Sequence, residues 1–169
     1  MYRIGVVGHR PEYVSDHDST IRNVDRVVDL ISYQYGKDLV LNVNGDVGVG
    51  QWTLEACENR KIKYHLFLPC EPEAFAENWY EKQIDFLHRC FKNAWAISIY
   101  AQKYNLEIER EVYRQIVSMS DFLICFWNGM SQGPTFDCIK YALENHKLTL
   151  NGLNDLKLIT NEDMRRKIY

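Results

Sequence analysis

The sequence predicts an α/β fold, in which a mainly parallel sheet of five or six strands has helices on both faces. Two observations support this class. Strand-like and helix-like segments alternate along the chain, and each strand-like segment is a continuous apolar run. Helices bury both faces of a parallel sheet, so its strands are continuous apolar runs, whereas the strands of a half-exposed sheet alternate between apolar and polar residues.

Five segments predict the strands of this sheet. They are rich in β-branched and aromatic residues, and glycine, asparagine or proline follows several of them, as is typical of strand ends. The predicted strands cover residues 2–7, 38–43, 63–68, 95–100 and 121–127. Residues 147–150 are a candidate for a sixth strand.

Apolar residues at steps of three and four predict the helices between these strands. The first helix contains Ile21 to Tyr35, and Gly36 ends it. Further helices are predicted at residues 49–60, 84–94, 105–119 and 136–143. The segment 70–83 is predicted to be irregular, and no element is assigned to the polar tail 151–169.

Length and composition indicate a single domain, spanning residues 1–169. The 169 residues are 46% hydrophobic and 25% charged, which is close to the globular average and argues against intrinsic disorder. Twenty basic and 23 acidic residues give a net charge of −3, so the bulk charge gives no strong signal for nucleic acid. We find no apolar run long enough for a membrane span and no secretory signal, and therefore expect a cytoplasmic protein.

The five cysteines and five histidines form no recognisable disulfide or metal pattern. None of the cysteines occurs in a Cys-x-x-Cys pair, and the histidines are not clustered at metal-binding spacing. We therefore expect reduced, mostly buried thiols, as in cytosolic proteins, and no bound metal.

Four loops that follow predicted strands are the candidates for a binding site, because ligands of such sheets bind beyond the carboxyl ends of the strands. They cover residues 8–11, 44–50, 69–75 and 128–135. In the first loop, Gly8 allows a ligand to approach the backbone closely, and Arg10 offers a forked donor for phosphate or carboxylate. His9 lies between them. A solvated His-Arg pair after an ordinary strand-ending glycine is the alternative.

The second loop, residues 44–50, is rich in glycine and lies between a strand and a helix. Free N–H groups at a helix N-terminus attract anions, so Gly45 and Gly48 suit a phosphate. Asp46 would repel a phosphate, and a ribose hydroxyl or a base amino group suits it better. The alternative for Asp46 is a cap of the following helix.

Trp52 and Glu55 follow the second loop on one helical face, and both are candidates for ligand contact. Core packing is the alternative for Trp52, because aromatic side chains mostly serve the core. A solvated helix surface is the alternative for Glu55.

The loop at residues 128–135 again joins a strand to a helix. Thr135 is predicted to cap that helix, and Ser131, Gly133 and Thr135 are candidates for holding a phosphate. Asp137 lies in the first turn, where the helix dipole alone also favours a carboxylate. Arg114, on the preceding helix, either reaches the ligand or pairs with neighbouring glutamates on the surface.

These motifs together resemble the SLOG superfamily, and most of all its YpsA-like branch, a former domain of unknown function. More distant relatives are the LOG phosphoribohydrolases, the lysine-decarboxylase-like proteins and the DprA Rossmann domain. The resemblance covers residues 1–150. It rests on Gly8-His9-Arg10-Pro11, Gly45-Asp46-Val47-Gly48-x-x-x-Trp52-x-x-Glu55, Asn78-Trp79, Ser120-Asp121, and Gly133-x-Thr135 with Tyr141-Ala142.

The resemblance implies a Rossmann-like three-layer fold that binds a nucleotide or a nucleotide-derived molecule such as ADP-ribose. Relatives are often dimers or larger assemblies, so the resemblance leaves a homo-oligomer as one alternative for this protein. The LOG branch hydrolyses an N-glycosidic bond and has a Pro-Gly-Gly-x-Gly-Thr-x-Glu motif. Here the matching stretch is residues 132–137, with Asp137 at the glutamate position and Pro134 in place of a glycine.

Three functions follow from these observations. The first is binding of a small nucleotide, with no further cofactor. The second is cleavage or transfer of an N-glycosidic bond, with Asp137 or Glu55 stabilising an oxocarbenium-like charge and Arg10 or Arg114 holding the phosphate. The third is a regulatory interaction protein with a vestigial pocket.

Overall fold

The computed structural model describes residues 1–166, and this part of the chain forms a seven-stranded sheet covered by helices. The strands are β1 (Tyr2–Gly8), β2 (Leu39–Val43), β3 (Lys63–Leu68), β4 (Ala96–Ile99), β5 (Phe122–Phe126), β6 (Thr149–Asn151) and β7 (Lys157–Leu158). The helices are α1 (His17–Tyr35), α2 (Val49–Arg60), α3 (Pro72–Phe75), α4 (Glu81–Asn93), α5 (Leu106–Ser118), α6 (Pro134–Glu144) and α7 (Asn161–Arg165). A 3₁₀ turn covers Pro11–Tyr13.

The strand order is β4-β3-β2-β1-β5-β6-β7. Neighbouring strands from β4 through β6 are parallel, and β7 runs antiparallel to β6. From β1 the chain builds outward through β2, β3 and β4, and it then returns to the other side of β1 as β5. The order therefore reverses between β1 and β5, and in open α/β sheets the crevice at such a switch point is the usual place for a ligand.

Each face of the sheet is buried by its own helices. Ile4 and Leu41 are fully buried beneath α1, α2 and α4, whereas Val7 and Leu123 are buried beneath α5 and α6. This double burial explains why the strands are continuous apolar runs. All five cysteines are buried, and none is paired in a disulfide among the described residues.

The α/β class and the mainly parallel sheet are confirmed, but the count of five or six strands is wrong. The candidate at residues 147–150 overlaps β6, which covers Thr149–Asn151, and the seventh strand, β7, lies in the tail, for which the sequence predicts no element. β7 has two exposed residues, so it has no apolar run for a sequence pattern to detect. The segment predicted to be irregular contains α3, a single turn that begins at Pro72, where proline is favoured.

None of the helices in residues 1–166 combines the length and the apolarity that a membrane crossing requires. Within the same residues, no three His, Cys, Asp or Glu side chains are grouped so that they could hold a metal ion.

Candidate functional site

The loops that follow β1, β2 and β5 are in contact at the carboxyl edge of the sheet. The N–H of Val49 donates to the carbonyl oxygen of His9 over 3.2 Å, which joins the first two loops. The N–H of Asn128 donates to Nε2 of His9 over 3.2 Å, which joins the first loop to the loop after β5. His9 is thus the meeting point of three segments that are far apart in sequence.

The imidazole of His9 is held as a neutral ring. Burial lowers the pKa of His9. Because Nε2 accepts a hydrogen bond, the proton of the neutral ring is on Nδ1. His9 therefore serves as a buried connector between the loops.

Glycines make the contact between these loops possible. A Cβ on Gly48 would lie 2.4 Å from the carbonyl oxygen of His9, and the φ of Gly48 is +85°. A Cβ on Gly8 would lie 2.6 Å from Val49, and one on Gly45 would lie 2.9 Å from Leu66, at a φ of +72°. Gly48 thus allows the backbones of the two loops to approach, whereas Gly8 makes room for the side chain of Val49 and Gly45 packs against core leucines.

A cavity of about 340 Å³ lies at the switch point, between the loop after β1 and the loop after β5. It is lined by His9, Tyr13, Met130, Gln132, Gly133, Pro134 and Thr135. Three of the predicted site residues, His9, Gly133 and Thr135, line it together. Ser131 belongs to the same loop, but it is exposed and does not line the cavity.

The N-terminus of α6 borders this cavity. Gly133 is the N-cap, with a φ of +96° that strongly favours glycine, and no side chain caps the helix. The prediction that Thr135 is the N-cap is therefore wrong. Pro134 takes the first helical position, which proline prefers, and Thr135 is buried in the first turn.

Asp46 is buried and is bonded to Arg10. Its Oδ2 accepts a hydrogen bond from Nε of Arg10 over 2.9 Å, and its Oδ1 accepts one from the N–H of Val47 over 2.8 Å. No side chain caps α2, whose N-cap is Gly48, so Asp46 does not have the capping role that was its alternative. Asp46 instead positions the guanidinium of Arg10.

Arg10 remains available to a ligand. Its side chain is 36% exposed, whereas that of Asp46 is 6% exposed. Within residues 1–166, Nε is the only guanidinium nitrogen of Arg10 that forms a hydrogen bond, so both Nη groups are left as donors. Two N–H groups in the first turn of α2, by contrast, already have partners within the protein. The N–H of Val49 donates to the carbonyl oxygen of His9, and the N–H of Gln51 donates to the carbonyl oxygen of Asp46.

A second carboxylate lies near this ion pair. Glu109 of α5 is buried and accepts a hydrogen bond from the hydroxyl of Tyr104, whose ring stacks on Phe75 with centroids 6.1 Å apart. Burial raises the pKa of Asp46 to about 6; Arg10 opposes this rise, and the charge of Glu109 adds to it. The Arg10 guanidinium thus balances two buried acidic groups.

Asp137 and Arg114 share a different cavity, of about 310 Å³, between α5 and α6. The guanidinium of Arg114 lies 5.8 Å from the ring centroid of Tyr141 and 3.9 Å from Glu111. Pro134 lines both this cavity and the one at the switch point, so the two cavities adjoin.

Glu55 and Trp52 lie apart from the other predicted residues. Both line a groove of about 440 Å³ between α1 and α2, together with the ion pair of Arg60 and Asp25. The ring of Trp52 is partly buried against the core and lies 5.7 Å from that of His17. Glu55 is exposed, and it does not share a cavity with Asp137.

Comparison with solved structures places this arrangement in a known fold. DNA processing protein A (DprA) from Streptococcus pneumoniae matches with a TM-score of 0.70 at 13% identity, over 89% of this chain and 50% of that chain. DprA from Helicobacter pylori matches with a TM-score of 0.64 at 13% identity, over 92% and 71%. The molybdenum cofactor binding protein from Rippkaea orientalis matches with a TM-score of 0.59 at 18% identity, over 89% and 75%.

The chain has a DprA-like Rossmann fold. The Rossmann-like fold that the resemblance implies is thereby confirmed, as a structural relationship at low sequence identity. This chain spans about half the length of the pneumococcal DprA. No protein-family model matches the sequence, and no curated protein does.

Within this DprA-like fold, three residues at the candidate site were not singled out from the sequence. Tyr13 and Asn128 belong to loops that were considered, but neither residue type is distinctive there. Glu109 is one of the three glutamates near Arg114, with Glu107 and Glu111, for which the sequence predicts ordinary surface pairing. Only its burial in the folded chain separates it from the other two, so no sequence signal could have identified it.

Proposed function

We propose that this protein binds a small nucleotide or nucleotide-derived ligand at the switch point between β1 and β5. The observation behind this proposal is the partly exposed guanidinium of Arg10, which a buried carboxylate holds in the loop that borders the cavity. Two residues close to Arg10 in the chain, His9 and Tyr13, line that cavity.

The chemistry of the site suits a phosphate. Arginine presents a rigid fork of donors that matches phosphate oxygens, and Asp46 already orients this fork through Nε. Less side-chain freedom is therefore lost on binding. The uncapped N-terminus of α6, on the other side of the cavity, also favours an anion.

A small ligand is the better proposal than a nucleic-acid strand. The Helicobacter protein was solved for its mode of binding single-stranded DNA, and the Rippkaea protein is a cofactor-binding protein, so both kinds of ligand occur on this fold. The net charge of −3 gives this chain no bulk attraction for a polyanion. We propose a cytoplasmic location as well, because the unpaired buried thiols suit a reducing compartment.

Calorimetry with AMP, ADP-ribose and ribose 5-phosphate tests the proposal. We expect binding by the wild type, and Arg10→Gln should weaken it by roughly 1.5–3 kcal/mol, as for a lost charge-assisted hydrogen bond. Arg89→Gln, which changes an exposed arginine of α4 packed on Phe86, is the matched control and should bind normally. The proposal fails if none of these ligands binds, or if Arg10→Gln binds as tightly as the wild type.

A second candidate function is hydrolysis of the N-glycosidic bond of a nucleoside monophosphate. It is favoured by one observation, the shared cavity of Asp137 and Arg114 next to the switch point. Asp137 would stabilise an oxocarbenium-like charge, and Arg114 would hold the phosphate. Release of the free base by the wild type and its loss in Asp137→Asn would establish this activity, whereas binding without base release would leave the protein a binder.

A further inference from the structure

We infer that Tyr13 is the surface on which the base of the bound nucleotide stacks, so that it selects a nucleotide over a bare sugar phosphate. This inference rests on the proposed function and assigns one part of the same site. Tyr13 would contact the base of the ligand, whereas Arg10 would contact its phosphate.

The backbone of Tyr13 is fixed on both sides of the residue. Its N–H donates to the carbonyl oxygen of Arg10 over 3.1 Å, which closes the 3₁₀ turn that begins at Pro11. Its carbonyl oxygen accepts a hydrogen bond from Nδ2 of Asn128 over 2.9 Å. The ring is thus attached to a backbone that is already held at the cavity by hydrogen bonds to Arg10 and Asn128.

The ring itself contributes little to the packing of the core. It is 50% exposed, it belongs to neither buried cluster of the core, and its nearest aromatic neighbour is His9, with centroids 6.5 Å apart. An aromatic ring that is half exposed in a preformed cavity is the usual feature of a site for a flat apolar group. Nucleobases stack on such rings whatever their hydrogen-bonding pattern.

Met130 adds a second apolar group to the same cavity. Its N–H donates to Oδ1 of Asn128 over 3.0 Å, and its carbonyl oxygen accepts from Nε1 of Trp127 over 2.9 Å. The side chain of Asn128 therefore links the backbones of Tyr13 and Met130. A thioether and an aromatic ring held in one cavity suit a base better than they suit a sugar.

The test compares AMP with ribose 5-phosphate, which has the same phosphate and sugar but no base. We expect the wild type to bind AMP more tightly. Tyr13→Ala should weaken AMP binding roughly 10- to 100-fold and leave ribose 5-phosphate binding unchanged, because only the stacking is lost. Tyr13→Phe should keep the AMP affinity, because the ring stacks on the base and the hydroxyl does not contact it. Tyr13→Leu, which has no ring, should lose that affinity.

Tyr33→Ala is the matched control, because Tyr33 lies on α1 and is 91% exposed. The affinity of each variant for ribose 5-phosphate also reports whether its loop is intact. The inference is overturned if Tyr13→Ala leaves AMP binding unchanged, if it weakens both ligands equally, or if the wild type does not distinguish them. If the wild type binds neither ligand, the proposed function fails first and takes this inference with it.

Discussion

At the scale of single residues, the buried carboxylate of Asp46 holds the half-exposed guanidinium of Arg10. The sequence reasoning assigned Asp46 to a ribose or a base and Arg10 to a phosphate, and it treated them separately. In the structure, both oxygens of Asp46 already accept hydrogen bonds, from Arg10 and Val47. We therefore expect Asp46 to contribute to binding through Arg10 and not by direct contact with the ligand.

We predict that Asp46→Asn weakens the binding of phosphorylated ligands by roughly 1.5–3 kcal/mol. Asparagine keeps the shape but loses the charge that orients Arg10, so the guanidinium would be less well placed for a phosphate. Calorimetry measures the affinity, and the melting temperature reports folding. Asp85→Asn, at an exposed position of α4, should bind normally. An unchanged or improved affinity in a well-folded Asp46→Asn protein would remove Asp46 from the site.

Motifs in the sequence identified single candidates but could not pair them. Arg10 and Asp46 are 36 positions apart, and only the adjacency of β1 and β2 brings their loops together. Tyr13 was not singled out because tyrosine on a loop has many ordinary roles. Site residues defined by burial or by a partner on another strand cannot be recognised from one sequence.

At the scale of elements, the two strand-to-helix loops use glycine for different reasons. Gly48 and Gly133 both have a positive φ and both precede a helix. A Cβ on Gly48 would lie 2.4 Å from a backbone oxygen of His9, whereas a Cβ on Gly133 would meet nothing within 4 Å. One loop is therefore crowded, and the other is open to the cavity.

We predict that Gly48→Ala destabilises the protein more than Gly133→Ala does. Gly133→Ala has only a backbone cost, roughly 1–3 kcal/mol for a conformation that side chains rarely adopt. Gly48→Ala adds a clash with backbone that cannot move without separating the loops after β1 and β2. Urea unfolding of both variants measures the two free energies. Equal losses would show that the close approach at His9 is easily relieved.

Periodicity predicted the long elements well and the short ones poorly. The helix predicted at residues 49–60 matches α2, because a glycine-rich turn and a left-handed C-cap residue bound it. β7 and α7 have two and five residues, which is too short for a period to appear. Thr135 was assigned as a cap from residue preference alone, and the start of α6 at Pro134 overrode that preference.

At the scale of the whole molecule, strand order creates the site. The alternation of strands and helices predicts a parallel sheet, but many strand orders satisfy that pattern. The order in the structure places β5 beside β1, so that the loop containing Tyr13 and the start of α6, with Thr135, border one cavity. No local pattern in a single sequence shows that β5 lies beside β1.

A polar network also crosses the sheet, from β1 to β4, and it should make stability depend on pH. Nη1 of Arg3 lies 3.1 Å from Nδ1 of His65 and donates to Oδ1 of Asn42 over 3.2 Å. Nε2 of His65 lies 2.8 Å from Oγ of Ser98. Because the guanidinium of Arg3 can only donate hydrogen bonds, Nδ1 of His65 accepts one from it, and Nε2–H of His65 donates to Oγ of Ser98. The network therefore requires His65 to be neutral.

We predict that the contribution of His65 to stability falls as the pH drops from about 6.5 to about 4, because burial, and then the charge of Arg3, lower the pKa of His65 to about 4. In this window the unfolded chain binds a proton that the folded chain does not, so protonation favours unfolding by at most about 3 kcal/mol. Urea unfolding across this range should show that the wild type loses stability relative to His65→Gln as the pH falls. The pH dependence that remains in His65→Gln combines two opposite contributions, since the pKa of His9 is lowered and burial raises the pKa of Asp46 to about 6. His88→Gln, at an exposed position of α4, is the control and should keep the wild-type dependence of unfolding free energy on pH. The same dependence on pH in the wild type and in His65→Gln would show that His65 is not held neutral.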